Sequence, residues 1–185
     1  SSGITTISEF FNTSSAKKIK KKIQPDLIFA RNVIPHVTNL KSVIKGISLL
    51  SSQNTKIAIE FHYAGEINKY LQYDSIYHEH VFYFTLKSLS RLFANYKLYP
   101  IDLFESPISG GSLVLIFSKN HKNKSKSLEK YQIYEKTTKL NDIKTWKSFA
   151  LRVKKHKVQF KSILVEELKK NKKIFAYGAS ARSST

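Results

Sequence analysis

The order of apolar and polar positions gives the first outline of the chain. Residues 26–30, Asp-Leu-Ile-Phe-Ala, form a short apolar run bounded by Pro25 and the polar pair Arg31-Asn32, the pattern of a strand buried on both faces. Leu40, Val43, Ile44, Ile47 and Leu50 then recur at helical spacing and predict an amphipathic helix with Thr38 or Asn39 as its N-cap. A second strand is predicted over 56–62. Strand, helix and strand in this order make a βαβ crossover, hence a parallel sheet whose ligands gather at the carboxyl ends of its strands. Arg31, Asn32 and His36 follow the first of those ends, and His62 and Tyr63 close the second.

On either side the pattern changes. Residues 3–11 read as a short β-type run, and 14–23 as a basic helix stopped by Pro25. Residues 64–84 do not continue the alternation and are dense in Tyr, His and acidic side chains. Leu86, Leu89, Leu92, Phe93 and Tyr96 share one stripe of a helix over 85–96. Two strands, 97–105 and 112–118, are joined by Ser-Pro-Ile-Ser-Gly-Gly, a connection short enough to make them antiparallel. A charged linker, 119–125, separates this part from a long helix carrying Ile143, Trp146, Ala150, Val153, Phe160, Ile163, Leu164 and Leu168, its repeat broken at Lys157. Residues 173–181 read as a strand, a glycine turn and small residues, the opening of a second βα unit. The organisation expected is a sheet-bearing domain over 1–118, followed over 119–185 by a lysine-rich helical segment and the start of a C-terminal subdomain. With no initiator Met, and an end just after an apolar run, both termini are expected to belong to a longer chain.

Composition excludes several chemistries. Zero Cys removes a disulfide framework, a cysteine nucleophile and a thiolate metal site. No apolar run approaches the ~20 residues that span a bilayer, so no membrane partner is expected and the expected setting is soluble and cytoplasmic. The formal charge of +19 invites a nucleic-acid reading. However, only Arg31, Arg91, Arg152 and Arg182 are arginines, and Lys lacks the planar fork that reads guanine or clamps phosphate. Most of the excess sits between residues 119 and 173. A solvated lysine-rich helical surface is the plainer reading, with a lysine-rich nucleic-acid-binding module as the alternative.

The most chemical segment is Tyr73-Asp74-Ser75-Ile76-Tyr77-His78-Glu79-His80-Val81-Phe82-Tyr83-Phe84. An extended backbone puts Tyr77 and Glu79 on one face and His78 and His80 on the other, whereas one helical turn brings Tyr77 and His80 together. Either way a phenol, a carboxylate and two imidazoles lie close among aromatics that exclude water, the setting in which pKa values move toward proton transfer. An imidazole acts as a base near neutral pH, and a neighbouring carboxylate can fix its tautomer. A plain aromatic loop whose His and Tyr satisfy each other is the structural counterpart. A metal site built from His78, His80 and Glu79 with His36 or His62 competes less well, because Asp74-Ser75 favours a turn over the regular strand that His-x-His ligation needs. No metal is expected.

Four pieces taken in order carry a family resemblance. They are Asp26-Leu27-Ile28-Phe29-Ala30-Arg31-Asn32-Val33-Ile34-Pro35-His36-Val37, then Ile76-Tyr77-His78-Glu79-His80-Val81-Phe82-Tyr83-Phe84, then Ser109-Gly110-Gly111-Ser112-Leu113, and Ala176-Tyr177-Gly178-Ala179-Ser180-Ala181. Together they resemble the S-adenosylmethionine-dependent sugar C-methyltransferases, whose best-known members methylate C3 of a nucleotide-linked 4-keto sugar. The resemblance implies an α/β fold: a partial class I methyltransferase, Rossmann-like sheet ending in an antiparallel hairpin, followed by helices and the start of a second βα subdomain. It implies S-adenosylmethionine as cofactor and a nucleotide-sugar as substrate. It places Arg31 and Asn32 on the cofactor side, Asn32 and His36 at the floor of the site, and Tyr77, Glu79 and His80 in the catalytic cluster, with His80 as base, oriented by Glu79, and Tyr77 as its partner or the alternate base. Tyr177, Gly178 and Ser180 match the turn that helps hold the sugar nucleotide. A methyltransferase acting on O or N of another small molecule is the other enzymatic reading.

The departures from the family are equally definite. The family holds its cofactor with a Gly-rich turn after the first strand and an acidic residue after the second, and this chain has six Gly and no GxGxxG. In the strand order 3-2-1-4-5-7-6 of the class I sheet, residues 3–11 correspond to the third strand. Strands 1 and 2 and the family's Cys-rich zinc region are lacking, which leaves Ile4, Ile7, Phe10 and Phe11 without cover. Weak or absent binding of S-adenosylmethionine to the chain as given is the expected result.

Overall fold

The computed structural model describes residues 3–120 and 123–178. Helix α1 (Thr13–Lys20) leads into strand β1 (Leu27–Arg31), a 3-10 turn at Ile34–His36, helix α2 (Leu40–Leu50) and strand β2 (Lys56–His62). Helix α3 (Ala64–Tyr70), a 3-10 turn at Tyr73–Ser75 and helix α4 (Leu86–Ala94) precede the hairpin of β3 (Tyr99–Ser106) and β4 (Ser112–Ser118). Helices α5 (Lys126–Thr137) and α6 (Ile143–Lys169) follow.

The four strands form one sheet in the order β1-β2-β4-β3. β1 and β2 are parallel, and β4 inserts antiparallel to both β2 and β3. The βα units and the closing hairpin are therefore as the spacing predicts, and α2 and β2 have the predicted bounds.

Local chemistry accounts for the helix starts. Asn39 caps α2 through Ser42 N, while α1 and α4 each begin with a capping box, Asn12 with Ser15 and Thr85 with Ser88. Gly46 lets α2 approach α1: a Cβ there would sit 3.0 Å from the Asn12 carbonyl oxygen. The core lies on one face of the sheet. Val43, Ile44 and Ile47 of α2 and Leu89 and Phe93 of α4 pack with Ile57, Ile59, Phe61, Leu103, Leu115 and Phe117, and the rings of Phe93 and Phe117 stack at 4.2 Å. Leu128 of α5 is fully buried in the same core.

Several sequence expectations give way. β1 is covered on one face only: Ile28 and Ala30 pack on the core, but Leu27 and Phe29 are more than half exposed because the described helices cover the opposite side. Residues 3–11 form no strand, since no described strand pairs with them; Ile4, Ile7 and Phe10 are exposed as expected, whereas Phe11 finds cover against the core. α6 runs unbroken through Lys157, a helix-compatible residue on an exposed turn. α5, whose polar surface hides its period, is an addition. Residues 173–177 form no strand, and Phe175 and Tyr177 stand in solvent.

Candidate active site

The site is assembled at the carboxyl edge of the parallel strands. β1 ends at Arg31, β2 at His62 and β3 at Ser106, while β4 begins there with Ser112. Over this edge lies the segment after α3. Pro35 in the 3-10 turn accepts two backbone hydrogen bonds, from Val81 N at 3.0 Å and Phe82 N at 3.2 Å, and Ala64 N donates to the Phe84 carbonyl at 3.0 Å. These bonds pin the residues just after the Tyr-His-Glu-His segment to the turn after β1 and to the start of α3.

Within it the backbone makes a single turn, His80 N donating to Tyr77 O at 3.1 Å. That is the second of the two geometries the sequence allows, and it sets the Tyr77 and His80 rings 4.7 Å apart. The His36 ring lies 4.8 Å from His80, Tyr83 at 5.7 Å and His62 at 6.4 Å. His80 is half-buried, at the mouth of the strands and inside a ring of aromatics.

Hydrogen bonds fix the tautomers. His80 Nδ1 is 3.1 Å from the Ser75 carbonyl oxygen, and His36 Nδ1 is 2.8 Å from that of Glu79. A carbonyl only accepts, so in each neutral ring Nδ1 carries the hydrogen and Nε2 the lone pair. This corrects the expected role of Glu79. The acceptor at His80 Nδ1 is Ser75, and Glu79 enters the cluster through its backbone, at His36, with its side chain exposed.

His62 has the opposite tautomer. Gln72 donates its Nε2 to the Gly110 carbonyl at 2.7 Å, which turns Oε1 toward His62 Nε2 at 2.9 Å, so that nitrogen donates. Gly110 and Gly111 both have positive φ, and a Cβ on Gly111 would lie 2.8 Å from Glu66 Cγ. The Gly-Gly pair thus brings the hairpin against α3 and Gln72.

Arg31 and Asn32 occupy the neighbouring corner. Arg31 Nε pairs with buried Glu60 at 3.1 Å, Ser106 Oγ donates to the same carboxylate at 3.0 Å, and Asn32, in the left-handed region, donates its backbone N–H to the Glu60 carbonyl at 3.1 Å. A cavity of about 700 Å³ opens beside them, walled by Phe11, Phe29, Ile34 and Val37, with Arg31 and His36 on its rim. No acidic side chain lines it among the described residues.

Tyr177 and Gly178 are not gathered here. They follow α6 in exposed chain, and Ser180 lies outside the described residues. Sequence reasoning missed Gln72, Ser75, Tyr83 and Glu60. Tyr83, whose hydroxyl accepts from Tyr77 N at 3.1 Å and whose pKa burial pushes up, could have been found as the phenol three residues past His80. Ser75 acts through its backbone, which leaves no side-chain signal. Among the described residues no three His, Asp or Glu side chains are placed to hold a metal ion, and no helix is long and apolar enough to cross a membrane.

Residues 107–185 match a family model described as the C-methyltransferase C-terminal domain. A C-methyltransferase of Streptomyces niveus, NovU, is 26% identical over 186 residues, an alignment covering 98% of this chain and 44% of that protein. The chain thus spans less than half the length of this curated relative. A solved structure of a LepI variant in complex with SAH and a substrate analogue matches 52% of this chain and 27% of its own, with 14% identity and a TM-score of 0.40. Residues 107–185 are thus similar to a C-methyltransferase C-terminal domain, and the chain along nearly its whole length is similar to a C-methyltransferase.

Proposed function

We propose that the chain carries the catalytic cluster of an S-adenosylmethionine-dependent enzyme that methylates carbon beside the ketone of a nucleotide-linked sugar. The observation that carries this reading is His80: an imidazole fixed as the Nδ1–H tautomer at the mouth of the parallel strands, with Tyr77 and His36 rings within 5 Å. A hydrogen α to a carbonyl becomes removable when a base is held against it and the developing enolate oxygen meets a donor. His80 Nε2 takes the proton, and the Tyr77 hydroxyl is the donor at hand. His36 forms the floor. The substrate carbanion then attacks an electrophilic methyl, which S-adenosylmethionine supplies when bound.

The residues present fit one wall of a site for that cofactor. Phe29, Ile34 and Val37 offer an apolar shelf, and the half-exposed Arg31, its Nε on Glu60, keeps its remaining guanidinium donors for the cofactor's carboxylate; Asn32 adjoins the cavity without lining it. The carboxylate expected against the ribose hydroxyls is not among the residues lining this cavity.

The test is exchange of the sugar's α-hydrogen with solvent deuterium, followed by NMR on a nucleotide-linked 4-keto sugar. It isolates proton abstraction from methyl transfer. Exchange that disappears in His80→Ala supports the assignment. Unchanged exchange refutes it, and methylation of an O or N acceptor by that variant at the parent rate supports the other enzymatic reading.

A further inference from the structure

Outside the catalytic cluster, helix α6 makes polar contacts with α3 and with the 3-10 turn that follows it and carries Ser75. Arg152 Nη2 donates to the Asn68 carbonyl at 2.6 Å and to Asn68 Oδ1 at 3.0 Å. Asn68 is in the last turn of α3, where carbonyls lack helical partners and a cation is favoured by the helix dipole. One turn further along α6, His156 Nδ1 meets the Tyr73 hydroxyl at 3.1 Å, with the rings 5.7 Å apart.

Tyr73 opens the 3-10 turn that ends at Ser75, the residue whose carbonyl holds His80. The chain reaches that turn through Leu71, a non-glycine residue in the left-handed region at φ 56°. Such a conformation persists only where its surroundings over-determine it. Gln72 ties the turn to His62 and Gly110 from the sheet side. From the other side, His156 ties the turn itself through Tyr73, and Arg152 ties the end of α3 that leads into it. α6 is itself anchored upstream, by buried Phe149 and by Trp146 Nε1 donating to Leu140 O at 2.8 Å, while beyond His156 it runs exposed to Lys169.

We propose that α6 is a strap that sets the catalytic histidine, with Arg152 and His156 as positioning residues. They hold the Tyr73–Ser75 turn so that the Ser75 carbonyl faces His80 Nδ1. Neither touches the reacting groups. The consequence for catalysis rests on the reading of His80 as the base, but the coupling itself does not.

A free neutral imidazole prefers the hydrogen on Nε2, so the Nδ1–H form of His80 reports the Ser75 contact directly. Long-range ¹H–¹⁵N spectra of the histidine rings, recorded on the 185-residue chain above the His80 titration, read it without any activity. In R152A/H156A the ratio of Nε2–H to Nδ1–H at His80 should rise about fivefold, the share of one net hydrogen bond. Tyr73→Phe, which removes a single hydroxyl, should move the ratio the same way by less, and His156→Gln should restore it. Unchanged His80 ring shifts in folded R152A/H156A overturn the proposal. Should that double variant not fold, unchanged shifts in Tyr73→Phe overturn it equally. A shifted tautomer in a chain that catalyses no α-hydrogen exchange keeps the strap and removes the proposed chemistry.

Discussion

Glu135 offers the sharpest test of how the site's scaffold is held. This side chain of α5 is 4% exposed, yet its carboxylate is fully engaged. Oε1 accepts from Leu86 N and, at 3.0 Å, from the Tyr63 hydroxyl; Oε2 accepts at 3.0 Å each from Lys87 N and Asn141 Nδ2. Two of the four donors are first-turn amides of α4, which have no helical partners. Glu135→Ala orphans them unequally. Leu86 and Tyr63 are sealed from water, at 1% and 0% exposure, whereas Lys87 is exposed. Two buried donors left unsatisfied cost about 1–3 kcal/mol each, so a loss of about 4 kcal/mol is expected, a large part of the stability of an ordinary domain. Glu135→Gln keeps one oxygen for Leu86 and Tyr63 and sets an amide against Lys87 N–H, and should cost about half as much. Urea unfolding, followed by far-ultraviolet dichroism and by the fluorescence of Trp146, measures both. A loss below about 1 kcal/mol for Glu135→Ala, or equal losses for the two variants, refutes the reasoning.

Two further predictions concern the same region. Burial, and then Glu135, push the Tyr63 hydroxyl far above the usual tyrosine range, and burial with Glu105 does the same to Tyr131. The unfolded chain therefore releases these protons first. The stability they preserve is complete below about pH 10 and falls above it, by about 1.4 kcal/mol per pH unit for the fully buried Tyr63 and by less for the partly exposed Tyr131, and Tyr63→Phe should reduce the slope in alkaline melts. At Gly65 a Cβ would lie 2.2 Å from Tyr63 Cε1, inside a ring with no room to retreat, so Gly65→Ala should destabilise by about 3 kcal/mol or more in the same urea assay, and a neutral result would show that Tyr63 can move.

Much of the fold was legible because its signals are local. The apolar steps of Leu40 to Leu50 and the cap at Asn39 specify α2 on their own, and the Ser-Pro-Ile-Ser-Gly-Gly connection specifies the hairpin. The failures are of a different kind. A strand exists only if a neighbour takes its hydrogen bonds, so the β-type run at 3–11 and the apolar run at 173–177 could not be judged from their own residues. Likewise Leu27 and Phe29 read as buried because an apolar run says nothing about how many layers cover it. At the site, proximity in sequence found Tyr77 and His80, the end of the first predicted strand found Arg31, Asn32 and His36, and the end of the second found His62. What no side-chain pattern could show was the backbone's part, since the acceptors at both histidines are carbonyls.

Those carbonyls bear on the proposed chemistry. A carboxylate against Nδ1 would fix the tautomer and also stabilise the charged ring, favouring an imidazolium that has already taken its proton. The carbonyls of Ser75 and Glu79 fix the tautomers of His80 and His36 with dipoles alone, and add no full charge beside two rings 4.8 Å apart. Under the proposed reading, a ring held in this tautomer presents Nε2 to the α-hydrogen of the substrate. Glu60 is held by Arg31, while the Nδ1 atoms of His80 and His36 are held by backbone carbonyls, an arrangement in which the backbone and not a carboxylate side chain orients the proposed base.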